Sequence, residues 1–135
     1  MKTNRLKTSE LTGAALDWAV AKADGKAPKI DRTSFRGTFI DRIYLGWSYE
    51  YHSSGSIVEY SPSTDWAQGG PIIEREGITT ICWNKNPDQW GARRWLELNG
   101  PWSVHVYAPT PLIAAMRCYV ASKLGDEIDI PEELQ

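Results

Sequence analysis

The stretch from Tyr60 to Ile78, Y-S-P-S-T-D-W-A-Q-G-G-P-I-I-E-R-E-G-I, holds the residue types best suited to chemistry. Hydroxyls, a carboxylate, an indole, a Gly-Gly pair and a proline stand between two apolar runs, more turn chemistry than a plain connection between strands needs. Ser61, Ser63, Thr64 and Asp65 can bond sugar hydroxyls, Trp66 can stack on a base, and Arg75 can pair with a phosphate. Gly69-Gly70-Pro71, read as the entry to a short helix with Pro71 at its first position, would offer backbone N–H groups and a positive helix end to an anion. Glu74 and Glu76 set negative charge near the same turn. A plainer reading stands beside each of these: the glycines make a tight turn, Asp65 closes an Asx turn, and Trp66 belongs to the core.

A second patch, Trp90, Arg93, Arg94 and Trp95, is the one basic and aromatic cluster, with the types to stack on and hold a phosphate or a single strand; its plain alternative is a solvated turn with the tryptophans tucked inward. His52, Cys82, His105 and Cys118 match the ligand count of a zinc site, yet no two lie at the short spacings such sites use, so no metal is expected. Asp65, His105 and Cys82 supply the types for a hydrolase or transferase. No nucleophile elbow or other local catalytic signature accompanies them, which favours a binder without catalytic activity and without a cofactor.

The elements that must position these residues follow from local pattern. After a basic lead, residues 1–7, Ser9 can cap a helix with Leu11, Ala15, Trp18 and Ala19 at helical spacing, ended by Gly25. Residues 26–36, with Pro28 and four basic side chains, read as a surface connection. From Thr38 to Tyr51 β-formers dominate, Trp47, Tyr49 and Tyr51 alternate, and 57–60 returns as the partner strand after a Ser/Gly turn. Ile78 to Trp83 is a strand by its β-branched content. Residues 84–100 read as a long excursion with room for a helical turn, and 102–108 alternates as a strand. Thr110 caps a second helix at Pro111, apolar on two sides and so buried, which Gly125 ends. Arg117 is the single charge in the middle of that helix. It either snorkels outward or pairs with an internal acid such as Asp65 or Glu74. An acidic tail, 126–135, closes the chain.

No βαβ alternation, Rossmann or phosphate-loop signature or internal repeat is present, so the sequence predicts one α+β domain over 1–135, an antiparallel sheet with two main helices on one face. Seven Trp and six Tyr against two Phe give rings with polar handles, suited to half-buried sites. A formal net charge of −2 argues against nucleic acid as a partner. The N-terminus lacks the apolar run of a signal peptide, and no stretch is long and apolar enough to span a membrane, so a cytoplasmic location is expected.

Three long strings, K-T-S-E-L-T-G-A-A-L-D-W-A-V at 7–20, Y-S-P-S-T-D-W-A-Q-G-G-P-I-I-E-R-E at 60–76 and P-T-P-L-I-A-A-M-R-C-Y-V-A-S-K-L-G at 109–125, resemble the NinX-like family of small proteins of tailed bacteriophages and prophages. Residues 1–6 and 30–55 fall outside that resemblance. It implies a phage setting, in the host cytoplasm, and no residue roles. With the residues, it yields three expectations in order. The first is an accessory protein sequestering a small nucleotide-like host metabolite or immune signal through the 61–75 residues. The second is a module that binds and inhibits a host protein through exposed aromatics, and the third a small enzyme. Assembly into homo-oligomers fits any of these.

Overall fold

In chain order the elements are β1 (Thr3–Lys7), α1 (Gly13–Ala23), β2 (Lys29–Phe35), β3 (Thr38–Ser48), β4 (Ser56–Glu59), α2 (Trp66–Glu76), β5 (Thr79–Cys82), β6 (Trp90–Trp95), β7 (Trp102–Ala108), α3 (Pro111–Leu124) and β8 (Glu127–Pro131), with short 3-10 turns at Thr8–Glu10 and Glu132–Leu134. The computed structural model describes residues 2–35, 38–48, 56–83, 90–95 and 102–135, and side chains within 2–31, 43–45, 59–83, 90–94 and 105–135.

Helix α3 is where the sequence predicts it, for local reasons. Thr110 Oγ1 accepts the N–H of Ile113 at 3.1 Å, and Pro111 enters the first turn with φ preset and no N–H to satisfy. Gly125 ends the helix at a φ of 93° that side chains rarely adopt. Leu112 and residues 114–120 are all buried, so the helix has no solvent face through its middle. The other elements close around it. The sheet β5–β6–β7 packs on one side, α1 and α2 on others, and β8 with the 3-10 turn at Thr8–Glu10 near its end.

Among the described residues the fold is α+β with antiparallel pairing, divided among three small sheets, β1–β8, β2–β3–β4 and β5–β6–β7, in place of the one sheet expected, and the two main helices are joined by the central one. The basic lead and the acidic tail pair with each other: Thr3 to Lys7 meets Pro131 to Glu127 in register, burying Ile128 and Ile130, and Arg5 bridges to Glu127 and Asp129. Strand β3 returns through β4 as expected, with a bulge between Tyr44 and Trp47. Tyr49, Tyr51 and His52 lie outside the described residues.

Four expectations need correction. Ser9 sits in a 3-10 turn and caps nothing. The helix begins at Gly13, whose φ of +56° cannot belong to a right-handed helix running on from Ser9. Residues 29–35, read as a connection, form β2, because pairing with β3 from Lys29–Tyr44 to Phe35–Thr38 supplies bonds that local pattern does not reveal. The excursion over 84–100 contains β6 at Trp90–Trp95, the middle strand of its sheet. Pro71 is not the first residue of a helix; α2 starts five residues earlier.

Arg117 turns inward and is 7% exposed. Its Nε donates to the Leu11 carbonyl at 2.8 Å and its Nη1 to the Tyr107 carbonyl at 2.9 Å, tying the middle of α3 to the approach to α1 and the end of β7. It reaches main chain rather than solvent. Replacing it with Met would strand two inward carbonyls, each worth about 1–3 kcal/mol unpaired. Arg117→Met is therefore expected to lower unfolding stability by roughly 2–4 kcal/mol in urea titration. A loss below about 0.5 kcal/mol would show that these bonds contribute little.

Candidate functional site

The loop between β4 and α2 is pinned by its own polar groups. Gln68 Oε1 accepts the N–H of Ser61 at 2.6 Å, while its Nε2 donates to the Glu59 carbonyl at 2.8 Å. Asp65 N–H donates to the Ser61 carbonyl at 2.8 Å, and Asp65 Oδ1 caps α2 by accepting from Ala67 N–H at 2.9 Å. Asp65 thus takes the capping role given to the turn before Pro71, so Gly69 and Gly70 lie within the helix. The N–H of Gly69 is bonded to the Asp65 carbonyl at 2.9 Å. An anion cradle at these glycines has lost that donor.

Gly69 has a different use. A Cβ there would stand 2.3 Å from the Pro62 carbonyl oxygen and 2.5 Å from Leu112 Cδ1, whereas a Cβ at Gly70 meets nothing within 4 Å. The bare backbone of Gly69 lets α2, the loop and the first turn of α3 close on one another. Their approach leaves a groove of about 210 Å³ lined by Ser63, Thr64 and Trp66 on one side and Thr110 to Ile113 on the other. Trp66, at the first position of α2, is 55% exposed, so it is not the core residue of the plainer reading. Two helix N-termini face this groove, with no acidic side chain in the first turn of either. The α3 end is capped by the neutral Thr110 hydroxyl and keeps its partial positive charge, whereas the Asp65 carboxylate offsets that of α2.

Of the residues predicted to act together, the structure brings Ser63, Thr64 and Trp66 to the groove, with Ser61 and Asp65 directly behind as loop and cap. Arg75 is not with them. Nine residues along α2, about 13 Å by helical rise, it donates to Asp24 Oδ1 at 2.7 Å and to the Tyr119 hydroxyl at 3.2 Å. Tyr119 in turn donates to Asp24 at 2.9 Å, and Lys26 stands 3.2 Å from the other oxygen. Burial pulls the Asp24 carboxyl upward, but Tyr119, Lys26 and Arg75 together hold it below its ordinary value. Arg75 locks the ends of α1 and α2 to α3.

The second patch is split by strand alternation. Arg93 pairs across to His105 and Thr79 on one face of the sheet. Arg94, on the other face, donates to the Glu76 carbonyl at 3.1 Å and Ser122 Oγ at 2.7 Å, and bridges to the Glu76 carboxylate. Trp90 packs against the core, and the Trp95 side chain is outside the described residues. Period two sends neighbours to opposite faces, so the four cannot form one platform. Of the metal and nucleophile candidates, Cys118 is buried, with burial pushing its thiol up to about 12, and Cys82 is exposed. His105 lines a separate cavity of about 590 Å³. No three His, Cys, Asp or Glu side chains gather as metal ligands among the described residues, and no helix there is long and apolar enough to cross a membrane.

Two contributors escaped sequence reasoning. The far wall, Thr110 to Ile113, carries a clear cap signal but nothing that announces its neighbour across the groove. Asp17 had a signal: it is an acid inside the apolar stripe of A-L-D-W-A-V. At 5% exposed, its Oδ1 accepts the N–H of Ser63 at 2.9 Å and so fixes the loop from beneath. Burial pushes its carboxyl up to about 6, against the lowering pull of its bonds with Ser63.

Compared with known proteins, a family model described as "Bacteriophage P22, NinX" matches residues 7–123. The matched range takes in 30–55, which the three strings had left aside. No curated protein matches the chain.

Gly69→Ala is expected to cost about 1–3 kcal/mol by overpacking against main chain. Gly70→Ala should be neutral or gain up to about 1 kcal/mol; equal effects of the two in denaturant titration would contradict the packing role of Gly69. Asp17 gives a pH signature. Its folded value of about 6 lies above the ordinary 3.8, so the native state binds the extra proton between these values. The stability this gives is fully present below 3.8 and lost as pH rises through about 6. Asp24, held low, acts oppositely and in a more acid range. Melting temperatures of Asp17→Asn should therefore gain on those of the natural chain between about pH 4 and pH 7, equivalent to at most roughly 3 kcal/mol. Parallel curves would contradict it.

Proposed function

The chain belongs to the bacteriophage P22 NinX family, and from that premise we propose that it is a non-catalytic phage accessory protein, working in the host cytoplasm, that binds and sequesters a small nucleotide-like host metabolite or immune signal. The observation that carries this reading is the exposed indole of Trp66 at the rim of a groove flanked by two helix N-termini. A flat ring can stack on Trp66 against the apolar wall of Leu112 and Ile113, while the exposed Thr64 offers its hydroxyl; the Ser63 hydroxyl is buried beneath the groove. The N-terminus of α3, capped by a hydroxyl and with no acidic side chain in its first turn, favours a negative group nearby. Arg75 takes no part, since Asp24 and Tyr119 hold it at the other end of α2. Neither His105 nor Cys82 lines the groove, which supports binding over catalysis.

A second reading draws on the groove's size. At about 210 Å³ it is smaller than the roughly 300–1,000 Å³ usual for whole small-molecule ligands, and suits a single ring or one side chain of a host protein. A nucleotide would seat its base and leave the rest at the surface.

Titration calorimetry against adenine and guanine mononucleotides and cyclic dinucleotides tests the proposal. The natural chain is expected to bind at least one of them. Trp66→Ala, at an exposed site where folding is undisturbed, is expected to weaken it about 5- to 150-fold, from a stacking loss of about 1–3 kcal/mol. No binding by the natural chain, or binding that Trp66→Ala leaves unchanged, would refute the nucleotide reading. A host protein retained by the natural chain and released by Trp66→Ala would then establish the second.

A further inference from the structure

A buried carboxyl stands beneath the groove. Asp17, on α1 and 5% exposed, holds Ser63 through its N–H at 2.9 Å. The hydroxyl of Ser63, itself 1% exposed, lies beside the same carboxyl without a well-formed bond of its own. Holding an N–H needs only an acceptor, which the amide of an asparagine would supply without a charge. A carboxyl adds the ability to gain or lose a proton, and its surroundings suit either state. The hydroxyl can donate to the carboxylate or accept from the acid, so neither form is left unmatched. Burial favours the neutral acid and brings the carboxyl up to about 6, so its charge changes close to neutral pH.

The groups around Asp17 do not neutralise it. Glu59, at the end of β4, adds to the upward pull, and the buried Tyr60 hydroxyl, held above its ordinary value, feels Asp17 and Asp24 alike. Helix α3 and strands β3 and β8 pack on α1. On α3, Arg117 is bonded to the Leu11 and Tyr107 carbonyls and Lys123 is exposed; on β8, Glu127 and Asp129 are bridged by Arg5; from β3 comes the buried Ile43. In the loop, Asp65 caps α2. Among the described residues no cation forms an ion pair with Asp17, so hydrogen bonds alone support its charged form. Ser63 and Thr64 line one wall of the groove, and an anion held there stands on the order of 10 Å from the carboxylate, with protein between them to limit screening. The partial positive charge at the start of α3 draws an anion to the same space. Repulsion between that anion and an ionised Asp17 is relieved when the carboxyl takes a proton from solvent.

We propose that the groove is a proton-linked site: a nucleotide-like anion bound beside Trp66 takes up a proton on Asp17, and a neutral ring of the same shape does not. This rests on the nucleotide reading above and adds its regulation, a tighter hold on anionic ligands as the surroundings become acid. With the free carboxyl at about 6 and an anion moving it higher, affinity for the anion is greatest below about 6 and falls as pH rises from the free value to the bound one. One charge about 10 Å away gives an expected fall of about 2- to 20-fold. The test is titration calorimetry with cyclic adenosine and guanosine monophosphates, whose phosphodiester keeps one negative charge across this range, against neutral adenosine and guanosine. It is run at about pH 5 and about pH 8, and at about pH 6.5 in buffers of different ionisation heat. Expected are the stated loss of affinity for the anions, uptake of up to about half a proton per ligand, and no pH dependence for the nucleosides. Asp17→Asn, which keeps an acceptor for Ser63, should abolish both effects. Magnetic resonance of the ligand-free chain supplies a second arm: the Ser63 and Thr64 amides and the Trp66 indole N–H should titrate together with a midpoint at about 6, and stay flat in Asp17→Asn. Binding of the cyclic nucleotides that ignores pH, equal pH dependence for the nucleosides, or flat groove signals in the natural chain would overturn the proton linkage and leave the nucleotide reading in place. Binding of none of these ligands at either pH would overturn both.

Discussion

The guanidinium of Arg117 is held inside the protein by the carbonyls of Leu11 and Tyr107, and the placement of α3 follows from that anchorage. A charge buried among apolar residues is tolerable only where its donors are met, and here main chain on two sides meets them. The helix is thereby fixed between the approach to α1 and the end of β7, with Leu112 and residues 114–120 out of solvent. Each further element covers one more side. At the far end, Arg75 and Arg94 complete the enclosure by joining Asp24, Glu76, Tyr119 and Ser122. Three arginines that could each have been read as ligand contacts thus secure the scaffold.

With α3 fixed, the position of its first turn fixes the groove. Gly69 allows the loop and α2 to approach until Pro62 and Leu112 are in contact range, and Asp17 holds Ser63 from below. The site therefore rests on a strongly buried foundation while Trp66 stays open at its edge. Such an arrangement limits reorganisation on binding, since the ring platform and both helix ends are already in place.

How much of this was legible in the sequence varies with the range of the interaction concerned. The bounds of α3 were legible because Thr110, Pro111 and Gly125 act within one turn of themselves. The start of α2 was misread because two local signals competed, Asp65 as cap and Pro71 as first residue, and the carboxylate that bonds Ala67 N–H prevailed. Strand β2 is largely polar and β6 sets two Arg among Trp, Gly and Ala, so neither shows a strand pattern of its own and only distant partners make them strands. The stretch around Trp66 stood out for its composition, but the partner wall at Thr110 to Ile113 lies more than forty residues away, beyond any spacing rule. Arg75 and Gly69 show the reverse error, in which residue types apt for a phosphate site serve packing and ion pairing.

The central claim is that the groove beside Trp66 is the ligand site, and a nitrogen-resolved magnetic resonance titration of the indole and backbone N–H signals with adenine and guanine nucleotides tests it most directly. The account predicts that the Trp66 indole signal and the Leu112 and Ile113 amides move first and together, while Arg75 and its partners stay in place. Shifts centred on other tryptophans, or none up to the solubility limit of the nucleotides, would contradict it.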